Sequence, residues 1–255
     1  MFVLGGSLVF GQATTFTKTD LSQTEIDNIV KKFTRNERLF REALNVYAFK
    51  RDAFIATVGM GGQITGTYKR DSHMTFDATG KRIEKIMFAP ISTLTEIAIT
   101  QSDIENLGGL DPFAIEPAKI DLYQFTYLGK EKIDELNLFV FDVAPKVMPK
   151  SEKDGRLFQG RIWVDDRDLY IVKSRGKAVP EGKERFAEIE TYRTNVDGKY
   201  WFPSYSSSDD DLVFKNGSVV KMKIRVKYYD FNIGRSDVKI IGEEDVVEPA
   251  PEKKP

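Results

Sequence analysis

The sequence predicts a mainly β protein of the α+β class: a curved antiparallel sheet, one long N-terminal helix and a helical insert in mid-chain. Three observations carry this. Between Phe125 and Pro203, short runs of β-branched and aromatic residues alternate with tight turns, so strand follows strand in consecutive antiparallel hairpins. Ahead of them, one segment behind Ser22 repeats its apolar residues at helical spacing. Residues 89–118 then break the strand rhythm.

In chain order, Phe2 to Phe10 is a short apolar run followed by Gly11-Gln12-Ala13. Small residues ahead of a cut after Ala13 fit a secretory signal over 1–13, although the positive n-region is missing. The run is too short to span a bilayer. The expectation is a mature chain without a transmembrane segment, periplasmic or otherwise exported. Ser22-Gln-Thr-Glu25 is a capping box that opens a helix over about 23–43. Ile26, Ile29, Val30, Phe33, Phe40 and Leu44 form its apolar stripe, and Lys31, Lys32, Arg35 and Arg38 fill the other face. Such a stripe must lie on a sheet.

Strands are expected over Tyr47–Val58, Gln63–Arg70, His73–Phe76 and Lys81–Phe88, separated by Gly59–Gly62, Arg70–Ser72 and Asp77–Gly80. In the insert, Ser102 to Gly109 reads as a short capped helix with a glycine stop, and Leu110 to Ile115 as an apolar turn. It is the candidate lid, because it carries apolar side chains outside any sheet. Strands return at about 119–128, 135–143, 156–165, 168–175, 185–194, 199–207, 211–215 and 218–232. The turns between them include Gly129-Lys130, Asp165–Asp168, Asn195–Gly198 and the two-residue hairpin signal Asn216-Gly217. In the last strand Val220, Met222, Ile224, Val226 and Tyr228 face one way and Lys221, Lys223, Arg225 and Lys227 the other, so one sheet face is wet. One domain is expected over 14–240, followed by a disordered acidic and proline-rich tail over 241–255.

Composition excludes several functions. With 255 residues, 41% hydrophobic content and a net charge of −1, the chain can bury a core but has no basic face for nucleic acid. It contains no cysteine, so thiolate catalysis and thiolate metal sites are ruled out. His73 is the one histidine; Asp71, two residues away on the same strand face, is the partner it would need as a base. Asp165-Asp166-Asp168 and Asp209-Asp210-Asp211 lack the spacing of a calcium loop and read as turn formers. Gly59 to Gly66 has the wrong spacing for a phosphate loop, and Ser206 to Ser208 has no nearby histidine. No catalytic residue, metal or cofactor is expected. The aromatic content, 18 Phe, 10 Tyr and 2 Trp, lies largely on strands, and one helix plus a short insert must cover it. A partly filled inner face of that kind leaves an apolar cavity.

Tyr127-Leu-Gly-Lys-Glu131 with Ile133, the apolar strand ending at Pro145, and Trp163-Val-Asp165 resemble the periplasmic lipoprotein-sorting family. That family comprises the lipoprotein carrier, its outer-membrane receptor and related sigma-factor regulatory proteins. Gly198-Lys-Tyr-Trp-Phe-Pro203 is similar to an uncharacterised bacterial branch, and the likeness spans roughly residues 20–235. It implies an unclosed β-barrel over a helical lid, with a cavity for the acyl chains of a lipid or lipoprotein and an envelope protein as partner. No position matches the carrier's lid-latching arginine. On this reading Phe33 and Phe40 face Val220, Met222, Ile224 and Val226 across the cavity. Two alternatives stay open: an interaction or sensor module with a filled core, and a hydrolase using two distant carboxylates.

Overall fold

The computed structural model describes residues 17, 19–100, 115–151, 155–181 and 185–234. The proposed signal segment, the helix at Ser102–Gly109 and the tail lie outside them.

Helix α1 runs Gln23–Leu44. Ser22 caps it as the sequence predicts: its hydroxyl accepts from the Glu25 amide, and Glu25 Oε2 accepts from the Ser22 amide at 2.8 Å. Eleven strands follow: β1 Tyr47–Val58, β2 Ile64–Phe76, β3 Arg82–Phe88, β4 Tyr123–Ile133, β5 Leu136–Pro145, β6 Leu157–Asp165, β7 Ile171–Val179, β8 Ile189–Val196, β9 Tyr200–Ser208, β10 Asp211–Val213 and β11 Val219–Ile233. They form one antiparallel sheet in the order β3-β2-β1-β11-β9-β8-β7-β6-β5-β4, with β10 also on β11. The sheet is not closed; β3 and β4 are its two edges. The long-range pairing of β1 with β11 joins the two meanders, from Tyr47 opposite Ile233 to Val58 opposite Lys221.

Four local expectations are corrected. The proposed turn at Arg70–Ser72 is absent, because those residues pair with Ala53 to Arg51 and keep β2 continuous. Gly129-Lys130 lies inside β4, just past a bulge at Leu128 between Tyr127 and Gly129; Gly129 takes φ 136°, and the turn falls at Asp134 with φ 51°. A 3-10 helix over Pro117–Leu122 occupies the start of the strand expected from 119. Asn216-Gly217 closes a three-residue loop: the Phe214 amide donates to Ser218 O, the Gly217 amide donates to Phe214 O, and Gly217 takes φ 83°. Beyond that loop β9 and β10 lie in one register against β11, Ser208 opposite Ile224 and Asp211 opposite Lys221.

Helix α1 lies on one sheet face, hereafter the inner face. Ile29, Val30 and Phe33 pack with Phe141, Ile162 and Ile171 of β5, β6 and β7. Phe40, Ala43 and Leu44 pack with Tyr47 and Phe202. Full burial of each Val, Ile, Leu or Phe side chain among these stabilises by about 1.5–3 kcal/mol. The third inner cluster, on β1, β2, β10 and β11, receives Leu94, Ile97 and Ile99 instead of the helix. These belong to the extended strap 89–100, whose Thr93 amide donates to Thr67 O at 2.9 Å. The strap comes close over β2 where Gly66 has no side chain: a Cβ there would stand 2.6 Å from Thr93 O and 2.9 Å from Leu94 Cα. The outer face carries a smaller apolar cluster of Leu138, Val140, Trp163 and Val172.

Candidate ligand-binding face

The six residues expected to line one cavity do not come together. Phe33 belongs to the cluster under the first half of α1, Phe40 to that under its second half, and Val220, Met222, Ile224 and Val226 to the strap-covered cluster. All six are buried. The inward register of the four β11 residues is as predicted.

An open space lies elsewhere, between the first turn of α1 and edge strand β4. It has a volume of about 310 Å³ and is lined by Leu21, Ile26, Phe125, Tyr127 and Leu128, with Thr19, Asp20, Gln23 and Thr126 also on its wall. The capping box sets its position, because the chain enters the helix at Ser22 and brings Leu21 and Ile26 over the strand. The signal was present in the sequence: Ile26 begins the helical stripe, and Phe125 and Tyr127 alternate on one face of their strand.

A polar band crosses the inner face between the apolar clusters. Glu37 of α1 accepts two hydrogen bonds from Arg193 of β8, at 2.5 and 3.0 Å, and the Arg193 guanidinium lies 4.5 Å over the Phe40 ring. Next, Thr191 and Ser206 hydroxyls stand 2.8 Å apart, with Ser206 hydrogen-bonded to Tyr228, whose phenol burial pushes up. Beyond Tyr228 sits Arg51, with its side chain 1% exposed. Arg51 Nη2 donates to Glu84 Oε1 at 2.5 Å. Arg70 donates to both oxygens of Glu84, at 2.9 and 2.7 Å, and the Ser72 hydroxyl donates at 2.5 Å. The hydrogen bonds from Arg70, then that from Ser72 and the charge of Arg51, hold the Glu84 carboxyl down at about 2 against the cost of burial. Arg82 closes this end: Nη2 donates to Leu44 O and Tyr47 O, and its guanidinium lies 4.6 Å over Phe76. A cation at the carbonyl end of α1 complements the helix dipole.

The residues weighed for chemistry hold structure. Asp165 accepts from the Arg167 and Asp168 amides in the β6–β7 turn, and Asn36 of α1 donates to Asp168 O and Leu169 O. Asp209 pairs with Arg225, and Asp210 accepts from the Glu188 and Asp211 amides. His73 lies opposite Lys50 and Lys85, and its strand neighbour Asp71 is held by Lys69 at 3.2 Å. Among the described residues, no three acidic or histidine side chains gather as a metal site. No helix among them is long and apolar enough to cross a membrane.

No family model matches the chain, and no curated protein matches it significantly. Solved structures do. The chain is similar to a DUF1329 family protein from Desulfovibrio piger at 12% identity and TM-score 0.36, over 81% of this chain and 96% of that one. It is similar to an outer membrane lipoprotein-sorting protein domain from Vibrio parahaemolyticus at 11% identity and TM-score 0.32, over 82% and 95%. MucB follows at 12% identity and TM-score 0.28, over 89% of this chain and 62% of that one.

Proposed function

We propose that this chain is an exported, non-enzymatic binding protein that holds acyl chains of a lipid or lipoprotein against the inner face of its sheet, with an envelope protein as the partner it serves. One observation carries the reading: a space with Leu21, Ile26, Phe125, Tyr127 and Leu128 on its wall, beside Thr19, Asp20, Gln23 and Thr126, opens between α1 and β4, at an edge where the sheet does not close. A volume of about 310 Å³ is at the low end of ligand pockets, which run from about 300 to 1,000 Å³. It seats part of an acyl chain; the rest needs the neighbouring packed clusters to part. That cost is useful to a carrier. An acyl chain of about sixteen carbons at ~0.8 kcal/mol per methylene gains on the order of 10 kcal/mol, too much for ready release unless opening opposes it.

Glu25, Asp77 and Glu84 are all held below their ordinary values, by hydrogen bonds first in each case, as suits carboxylates that serve a helix cap, a turn and an arginine pair. A second reading, an interaction module with a filled core, is favoured by the close packing of the three inner clusters. Protein purified without detergent from the envelope of its own cell type, extracted and read by mass spectrometry, tells the two apart. Acyl-bearing molecules in stoichiometric amount are expected. Their absence from repeated preparations favours the interaction module.

A further inference from the structure

We propose that Arg51 is the recognition point for the anionic head, a carboxylate or phosphate, of an amphiphile whose hydrocarbon lies in the strap-covered cluster of β1, β2 and β11. This rests on the acyl-binding reading and adds a second seat on the inner face, near the opposite edge of the sheet from the space beside β4.

A guanidinium presents five N–H donors. Arg51 commits only Nη2, to Glu84 Oε1 at 2.5 Å and to the Ser72 hydroxyl at 3.4 Å. Its Nε and Nη1 are buried with no hydrogen-bond partner among the described residues. Glu84 cannot turn to meet them. Its Oε1 already accepts from Arg51, Arg70 and Ser72, and its Oε2 from Arg70. Two arginines therefore share one carboxylate, leaving one positive charge in excess. On the inner face Arg51 stands opposite Tyr228 and Ser72, with Tyr68 and Arg70 nearby, and beyond these polar groups the neighbours Phe49, Ala53, Met74 and Val226 are apolar.

A buried cation with open donors is among the costlier features a fold can retain. An arginine stays charged at any ordinary pH, so it cannot escape by losing its proton. An arriving anion offsets that cost and finds donors in the fork geometry that suits carboxylate and phosphate oxygens. The cover over the apolar cluster is the strap, attached to β2 at Thr65 and Thr67 through Ser92, Thr93 and Glu96 rather than by a full strand ladder. Displacing Leu94 and Ile97 exposes apolar surface of the kind a hydrocarbon chain covers.

The test compares three probes of equal chain length below their critical micelle concentrations: hexadecanoate, hexadecyl phosphate and uncharged 1-hexadecanoylglycerol. Inorganic phosphate alone is the control for an anion without a chain. Wild-type protein is expected to bind at least one anionic probe about tenfold or more tighter than the glycerol ester, the scale of one charge-assisted hydrogen bond. Which of the two anions leads separates a carboxylate from a phosphate head. Arg51→Met, which keeps the bulk, is expected to bind all three with the affinity wild type shows for the glycerol ester. Equal binding of all three by wild type overturns the role of Arg51 and leaves acyl binding standing. Tight binding of inorganic phosphate alone overturns the amphiphile. No binding of any probe overturns both readings. Should Arg51→Met not fold, the wild-type comparison decides.

Discussion

Arg193 and Glu37 form a bidentate pair between β8 and α1, with side chains 7% and 0% exposed. The pair crosses from sheet to helix where the surroundings are Phe40 and Phe202, so neither charge has solvent to fall back on. Removing one partner strands the other. Glu37→Leu or Arg193→Met alone is expected to cost about 3–5 kcal/mol in urea denaturation. The double variant is expected to recover most of that loss, and a double-mutant cycle reads the coupling.

Glu84 gives the fold an acid-sensitive element. Its carboxyl is lowered from 4.5 to about 2, chiefly by the hydrogen bonds from Arg70. A group with a depressed folded value stabilises fully above the unfolded value and loses that contribution as pH falls through the folded one. The stability gap between wild type and Glu84→Gln is therefore expected to hold steady above about pH 5 and to shrink between about pH 4.5 and pH 2. Thermal melts across that window measure it.

The strap depends on a missing side chain. Gly66→Ala places a Cβ 2.6 Å from Thr93 O and 2.9 Å from Leu94 Cα, both backbone atoms that cannot swing aside. Lifting the strap is expected to cost about 1–3 kcal/mol and to speed hydrogen exchange at the Thr93 amide, with β1–β11 amides unchanged. Gly61→Ala is the comparison. Its nearest neighbour is the Gln63 side-chain oxygen at 2.7 Å, which can move.

Filling the space beside β4 tests whether it is used. Ile26→Trp adds bulk on the wall of a pocket that is open to solvent, so stability is expected to change by less than about 1 kcal/mol. Acyl-probe binding in that space is expected to fall at least about tenfold, read by photolabel on Phe125 to Leu128.

Much of the fold was legible because local chemistry encodes it. The Ser22–Glu25 box placed the first turn of α1, and alternation from Val220 to Tyr228 placed the inner face of β11. Turns were less secure, since the same residue types make bulges: Gly129 bends β4 without ending it. Arg70-Asp-Ser72 looked like a turn because polar residues in sequence do not reveal that two of them, Arg70 and Ser72, bind the half-buried carboxylate of Glu84. The grouping of Phe33, Phe40 and the β11 residues was not legible. It depends on how a 22-residue helix crosses the sheet, and a stripe fixes which side is buried but not against which strand. The inward charges Arg51, Glu37 and Arg193 were hidden for a related reason: pattern reading assigns charges to water.

The most direct measurement is photolabelling with a fatty acid carrying a diazirine near its methyl end, followed by peptide mass spectrometry of the labelled protein. Binding on the inner face predicts label on Leu21 to Ile26, on Phe125 to Leu128 and on the strap around Leu94 to Ile99, all competed by excess unlabelled fatty acid. Label confined to the outer face, or label that excess fatty acid does not reduce, contradicts it.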